Sequence, residues 1–188
     1  MLNSKLTTKK IVLAAMLAAL TVVGSSLRIT LPLSIAGTTS FHLGNTMCAL
    51  SGILLGPWLG GLAAGLGSAI FDMLDPRFIS EAWITFMTKG AYGIAAGLVA
   101  WSGKKEWGYR RATVATITGA VVYAVLYLSK KFFYNGMLLN GLAANAALIT
   151  ILEAMPATIF NAAVAIICAP MLAVTIRKAL KRNHLSLE

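Results

Sequence analysis

The stretch LLGPWLGGLAAGLGSA, residues 54–69, decides the fold of this chain. Its Gly56-Pro57 pair predicts a tight turn between two apolar segments, because proline begins a helix well and disfavours helix in the residue before it. Gly61 and Gly65 follow at four-residue spacing, which permits close backbone approach between helices in lipid. The stretch therefore predicts two short, adjacent membrane helices, and its stripe of small residues is of the kind that usually packs against a protein's own helices.

The composition of the whole chain extends this interpretation. The 188 residues are 58% hydrophobic and only 12% charged, and the mean hydropathy is +0.79. A soluble domain of this size is far less apolar. Since a membrane helix needs roughly 20 apolar residues, residues 1–188 predict one all-α integral membrane domain, a bundle of six transmembrane helices with no room for a nucleotide-binding domain.

The positive charge is distributed as a membrane topology requires. The formal net charge is +10, and eleven basic residues fall within 5–10, 104–111 and 177–182, against four on the opposite side. Cytoplasmic loops carry the excess of lysine and arginine. Both termini are therefore predicted to be cytoplasmic, and the charge is not interpreted as a nucleic-acid surface.

Hydropathy and helix breakers place the six spans and the loops between them. The predicted spans are 9–28, 42–56, 57–74, 80–101, 112–129 and 145–172. The outer loops are then 29–41, 75–79 and 130–144. The first contains Pro32 and Gly37 and is too apolar for a solvated linker. We expect it to be an irregular lid over the outer end of the bundle, or else an interfacial connector that contacts no ligand.

Two ionisable residues are predicted at membrane depth. Lys89 lies about nine residues into the fourth span and Glu153 about eight into the sixth, so they reach similar depth. An ionisable group there costs on the order of 3 kcal/mol and needs a partner, a cavity or a function. We expect the two to face a common cavity, where they pair or bind opposite ends of a polar solute. A structural buried ion pair is the alternative.

Further polar and aromatic residues fall near the predicted outer end. His42 and Asn45 share one helical face, and aromatic faces nearby could stack a planar ring. Helix capping and a membrane-interface aromatic belt are the alternatives for these residues. Besides Lys89 and Glu153, the predicted substrate-binding residues are Thr38, Thr39, His42, Asn45, Asp72, Trp83, Phe86, Tyr123, Tyr127 and, as the floor of the cavity, Asn161.

Signatures of catalysis and metal binding are missing from the sequence. It contains no HExxH, GxSxG or phosphate-binding loop motif. Cys48 and Cys168 lie far apart in apolar runs, without the spacing of metal ligands, and are interpreted as core residues. The chain is therefore predicted to be neither an enzyme nor a holder of a metal or cofactor.

Four segments together carry a family resemblance: FHLGN at 41–45, the stretch 54–69, FMTKG at 86–90 and EAMP at 153–156. With them the chain resembles the S components of energy-coupling factor (ECF) transporters. It is most similar to the branch associated with pyridoxine, hydroxymethylpyrimidine and related vitamin precursors. The resemblance extends over nearly the whole chain.

The resemblance implies a function, a location and partners. It implies a multi-pass subunit of the cell membrane that binds a vitamin or vitamin precursor beneath its first outer loop and releases it inside. A coupling membrane subunit and two cytoplasmic ATPases would be its partners. The first helix would carry the surface for the coupling subunit, on Ala14, Ala15, Ala18 and Ala19.

Two other functions remain open at the level of sequence. A membrane scaffold protein of the cell-shape type has a similar size and helix number, but it would not need Lys89 and Glu153 in its core. A stand-alone solute carrier or channel would transport without ATPases. The sequence does not identify the ligand.

Overall fold

A computed structural model describes residues 7–32, 38–103 and 107–183. Within them, six α-helices and one antiparallel hairpin make up the fold. In chain order the elements are α1 (Thr8–Ser26), β1 (Arg28–Pro32), β2 (Thr38–His42), α2 (Gly44–Leu55), α3 (Pro57–Leu74), a 3-10 turn (Ile79–Glu81), α4 (Ala82–Trp101), α5 (Tyr109–Ser129), a π-helical segment (Lys130–Leu139) and α6 (Ala144–Arg182).

The helical membrane class predicted from composition agrees with these elements. Three helical stretches are long and apolar enough to cross a bilayer: α1, Tyr109–Leu139 and α6. Helix α2 is apolar but has only 12 residues. The six crossings and the cytoplasmic termini therefore stay predictions.

The first outer loop is not irregular, and that part of the prediction is wrong. Strands β1 and β2 pair in antiparallel register, with Arg28 opposite His42 and Ile29 opposite Phe41. Branched and aromatic residues favour such pairing, and Pro32 is compatible with it because it ends its strand. The middle of the predicted lid, residues 33–37, lies outside the described residues.

The third outer loop is also more regular than predicted. Residues 130–139 continue α5 as the π-helical segment, and α6 extends to Arg182, ten residues beyond its predicted end. Its 39 residues give a length of about 58 Å. That exceeds the hydrocarbon core of about 30 Å, so the basic end of α6 can project beyond the bilayer.

Glycines bring the backbones of α2, α3 and α4 into contact. A Cβ atom on Gly61 would lie 2.5 Å from the side chain of Ile94 on α4, and one on Gly65 would lie 2.8 Å from the carbonyl oxygen of Phe86. On α2, a Cβ on Gly52 would overlap the carbonyl oxygen of Gly93. The predicted Gly61/Gly65 stripe therefore packs the protein's own helices.

The contact at Gly52 generates a stability prediction. In Gly52→Ala the added methyl group meets the backbone of α4, which cannot give way as a flexible side chain would. Overpacking of this kind costs about 1–3 kcal/mol, so we expect a clearly lower melting temperature in detergent. Gly108→Ala is the control, because nothing lies within 4 Å of a Cβ at Gly108. Equal melting temperatures for the two variants would contradict the close approach.

Candidate functional site

A cavity of about 90 Å³ lies between the hairpin and the helices. Every helix except α2 contributes to its wall, together with the hairpin, the 3-10 turn and the π-helical segment. The lining residues are Ser25, Arg28, Thr38, Thr39, Ser40, His42, Ser68, Phe71, Asp72, Phe78, Glu81, Thr85, Lys89, Tyr123, Tyr127, Lys130, Lys131, Thr158 and Asn161. The wall is therefore rich in charged, hydroxyl and aromatic groups.

Most of the residues singled out from the sequence meet at this cavity. Eight of the twelve line it: Thr38, Thr39, His42, Asp72, Lys89, Tyr123, Tyr127 and Asn161. They come from β2, α3, α4, α5 and α6, which are far apart along the chain. The structure thus brings them together, while contact with a substrate stays a prediction.

Two predicted aromatic residues lie elsewhere. Trp83 is 62% exposed, and its ring packs edge-on against that of Tyr134, with 6.2 Å between ring centroids. Phe86 is half-buried and lies against α3 beside Gly65. The cavity face of α4 instead carries Thr85 and Lys89. The two aromatic residues of α4 therefore lie away from the cavity wall, whereas Lys89 of the same helix is part of it.

Lys89 and Glu153 do not form the predicted pair. The Lys89 ammonium donates a hydrogen bond to Asn45 Oδ1 and lies 4.1 Å from the centroid of the Tyr123 ring. Glu153 is half-buried on α6 and is not part of the cavity wall. Asn45, also predicted to bind substrate, lies just behind the wall as the partner of Lys89. Similar depth in two helices does not put two side chains on facing sides.

Several residues of the wall were not predicted. Among them, Arg28, Lys130 and Lys131 are three of the four basic residues that the charge distribution assigns to the outer side. Cations on the side of the membrane that normally carries few could have been recognised as site candidates. The other unpredicted wall residues are Ser25, Ser40, Ser68, Phe71, Phe78, Glu81, Thr85 and Thr158.

The Asn161 side chain holds the hairpin against α6. Its Nδ2 donates to the carbonyl oxygen of Ser40 over 2.8 Å, and its Oδ1 accepts from the backbone N–H of His42 over 2.9 Å. The amide thus satisfies both backbone groups that the edge of β2 presents to it, as a neighbouring strand would. Asn161 therefore attaches the hairpin to α6 and also lines the cavity, and its contact with a substrate stays a prediction.

A second attachment of β2 comes from the end of α5 and the π-helical segment. The Lys131 ammonium donates to the carbonyl oxygen of Thr38 over 3.0 Å. The hydroxyls of Thr39 and Tyr127 are 3.4 Å apart. These contacts connect the hairpin to residues that also line the cavity.

Strand β1 is attached through an ion pair with the end of α3. Arg28 pairs with Asp75, and its guanidinium lies between the rings of Phe71 and Phe78, 4.7 and 4.9 Å from their centroids. Hydrogen bonds from Arg77 hold the pKa of Asp75 well below its usual range, although partial desolvation opposes them. At neutral pH the Asp75 carboxylate is therefore ionised, and its ion pair with Arg28 stabilises the folded protein. This stabilisation is lost only as the pH falls through the lowered pKa of Asp75.

A second ion pair also borders the cavity. Glu81 Oε2 lies 2.5 Å from Lys130 Nζ, and Glu81 Oε1 accepts a hydrogen bond from Asn135. The Lys130 ammonium and these hydrogen bonds compensate the Glu81 carboxylate for its burial. The 3-10 turn is thereby tied to the π-helical segment through two charged wall residues.

Three tyrosines stack in a row, and two of them, Tyr123 and Tyr127, line the cavity. The rings of Tyr92 and Tyr123 have centroids 5.8 Å apart, and those of Tyr123 and Tyr127 are 5.5 Å apart at 21°. Offset stacking at these distances is favourable. Tyr123 and Tyr127 thus give one side of the cavity an aromatic surface of two nearly parallel rings.

The attachment by Asn161 generates a prediction about the hairpin. In Asn161→Ala both hydrogen bonds to β2 are lost. Each contributes about 0.5–1.5 kcal/mol, so transient opening of the hairpin should increase roughly tenfold or more. The measurement is the thiol-labelling rate of Thr39→Cys, in a background that also carries Cys48→Ala and Cys168→Ala. Residue 39 is only 5% exposed in the closed hairpin.

A matched variant on the same helix controls this experiment. Asn145 is exposed, and within the described part of the chain its side-chain oxygen accepts only from the adjacent backbone N–H of Ala146. Asn145→Ala should therefore leave the labelling rate unchanged. Equal rates in Asn161→Ala and Asn145→Ala would show that the hairpin does not depend on Asn161.

Comparison with known proteins agrees with this architecture. Residues 5–178 match the family model described as ECF-type riboflavin transporter, S component. An uncharacterized protein from Pyrococcus woesei is 34% identical over 118 residues, which are 63% of this chain and 74% of that protein. The match does not confirm the pyridoxine and hydroxymethylpyrimidine branch. The family match spans nearly the whole chain, and we conclude that the chain belongs to the family of S components of ECF-type riboflavin transporters.

Proposed function

We propose that this chain captures a small vitamin-like solute in the cavity beneath the hairpin and releases it to the cytoplasm within an ECF complex. Membership of the S-component family supports a substrate-binding subunit of an ECF importer, which is a transport subunit and not an enzyme. The observation that carries the proposal for the site is the polar, aromatic-lined cavity between the hairpin and the helices. Pockets of this kind, with a few convergent polar groups, are the usual binding sites of small molecules.

The size and lining of the cavity favour a single-ring solute. The cavity of about 90 Å³ is well below the roughly 300–1,000 Å³ of pockets that hold drug-sized ligands, so it favours a small solute. The Tyr123/Tyr127 surface suits a planar ring, and Thr39 and Asp72 suit hydroxyl substituents. We propose a single-ring heterocycle about the size of vitamin B6 or hydroxymethylpyrimidine. A three-ring ligand such as riboflavin would require the hairpin to move outward.

The proposed topology follows the charges. The hairpin and the cavity lie at the end of the bundle where the carboxylates Asp72, Asp75 and Glu81 are found. The basic starts of α1 and α5 and the basic end of α6 belong to the opposite, cytoplasmic end under the positive-inside rule. A six-span protein of the cell membrane with both termini inside accounts for this distribution.

The proposed surface for the coupling subunit is one face of α1. Ala15 and Ala19 are exposed, whereas Ala14 and Ala18 are half-buried. The carbonyl oxygen of Ala18 lies where a side chain on Gly67 of α3 would be. The four alanines therefore divide into two pairs, of which Ala15 and Ala19 can meet a partner helix closely.

Ligand binding by the isolated chain is the first test of this function. The detergent-purified protein should bind at least one member of a panel of B vitamins, pyrimidines and deazaguanines without any ATPase, because the cavity is complete within one chain. Intrinsic tryptophan fluorescence and thermal shift measure this binding. Uptake into vesicles should occur only after addition of a coupling subunit and its ATPases.

The outcomes of this test distinguish the three functional classes. ATPase-independent uptake into vesicles by the chain alone would indicate a stand-alone carrier or channel. No binding to any member of the panel would favour the scaffold and contradict the proposed function.

The division of the alanines generates a separate prediction. Ala15→Leu combined with Ala19→Leu should abolish co-purification with the coupling subunit, because the added side chains prevent close approach, and should leave ligand affinity unchanged. Ala163→Leu, at an exposed alanine of α6, is the control and should keep both properties. Loss of ligand binding together with assembly would mean that this face only supports the fold.

A further inference from the structure

Lys89 is a buried cation of the cavity wall that has no carboxylate partner among the described residues. Its side chain lies on α4 and the residue is 5% exposed. The wall cations Arg28 and Lys130 each form an ion pair with a carboxylate. In the described part of the chain, no carboxylate oxygen lies within 4.0 Å of the Lys89 ammonium.

The groups around Lys89 satisfy it only in part. An ammonium has three N–H donors, and the neutral amide oxygen of Asn45 accepts from one of them. The Tyr123 ring face, 4.1 Å away, attracts the charge but carries no counter-charge. Asp72 also lines the cavity but lies beyond ion-pair distance. A buried charge left in this condition is costly unless an anion joins it.

We propose that the substrate carries a carboxylate, and that this carboxylate binds Lys89 while the attached ring lies along the Tyr123/Tyr127 surface. This inference rests on the proposed function, which it narrows to small aromatic or heteroaromatic acids. A single charge is specified because Lys89 is one cation beside Asp72, which would repel a second negative charge. The carboxylate of the ligand thus takes the place of Glu153, which the sequence predicted as a partner of Lys89.

The test compares acids with their closest neutral relatives. The probes are the pairs nicotinate and nicotinamide, 4-pyridoxate and pyridoxine, and orotate and uracil, with riboflavin as an additional neutral ligand. A hydrogen bond to a charged group gains roughly tenfold or more in affinity. We therefore expect one acid to bind wild-type protein at least that much more tightly than its neutral relative, by calorimetry in detergent.

Two variants locate the preference at Lys89. Lys89→Met removes the charge, and Asn45→Asp puts a carboxylate of the protein beside it. Both should reduce the preference for the acid to about onefold to twofold, given the modest net gain of a neutral contact. Neither should lower the melting temperature of the ligand-free protein, since Lys89→Met removes the buried ammonium and Asn45→Asp gives it a carboxylate partner. Lys178→Met, at an exposed lysine near the end of α6, should keep the preference.

The other outcomes separate this inference from the function on which it rests. Binding of pyridoxine, uracil or riboflavin with no preference for an acid would overturn the inference and leave the proposed function standing. An acid preference that survives in Lys89→Met would also overturn it. If no probe and no member of the wider vitamin panel binds, both the function and the inference fail.

Discussion

The close approach of the backbones of α2, α3 and α4 is the constraint on which the rest of the structure depends. In lipid, helices gain little from burying apolar side chains against one another and depend on packing at short range. Gly52, Gly61 and Gly93 allow that packing because a side chain at any of them would meet the facing helix. The same contact brings α2 beside α4, so that Asn45 reaches Lys89.

The hairpin depends on this bundle for its position. A two-stranded sheet is marginally stable by itself, and the edge of β2 would leave backbone groups unpaired. Asn161, Lys131 and the Arg28–Asp75 pair attach the two strands to α6, to the π-helical segment and to the end of α3. Asn161, Lys131 and Arg28 also line the cavity. A solute bound there as proposed would therefore contact the same residues that hold the hairpin in place.

The electrostatics of the cavity follow from how its ions are paired. Arg28 and Lys130 are matched by carboxylates of the turns that border the cavity. Lys89, deeper in the bundle, is held by a neutral amide and a ring face. Under the proposed function, this difference in pairing would give the cavity a preference for a solute that carries a negative charge.

The sequence by itself determined the membrane class, the helix order and the turn at Gly56-Pro57, because these follow from composition and local spacing. The tertiary structure alone decided which faces meet. Trp83 and Lys89 belong to the same helix, yet one is exposed and the other lines the cavity. The hairpin also escaped prediction, because β2 is held by the side chain of Asn161, more than a hundred residues away. Such long-range contacts leave no local periodicity in the sequence.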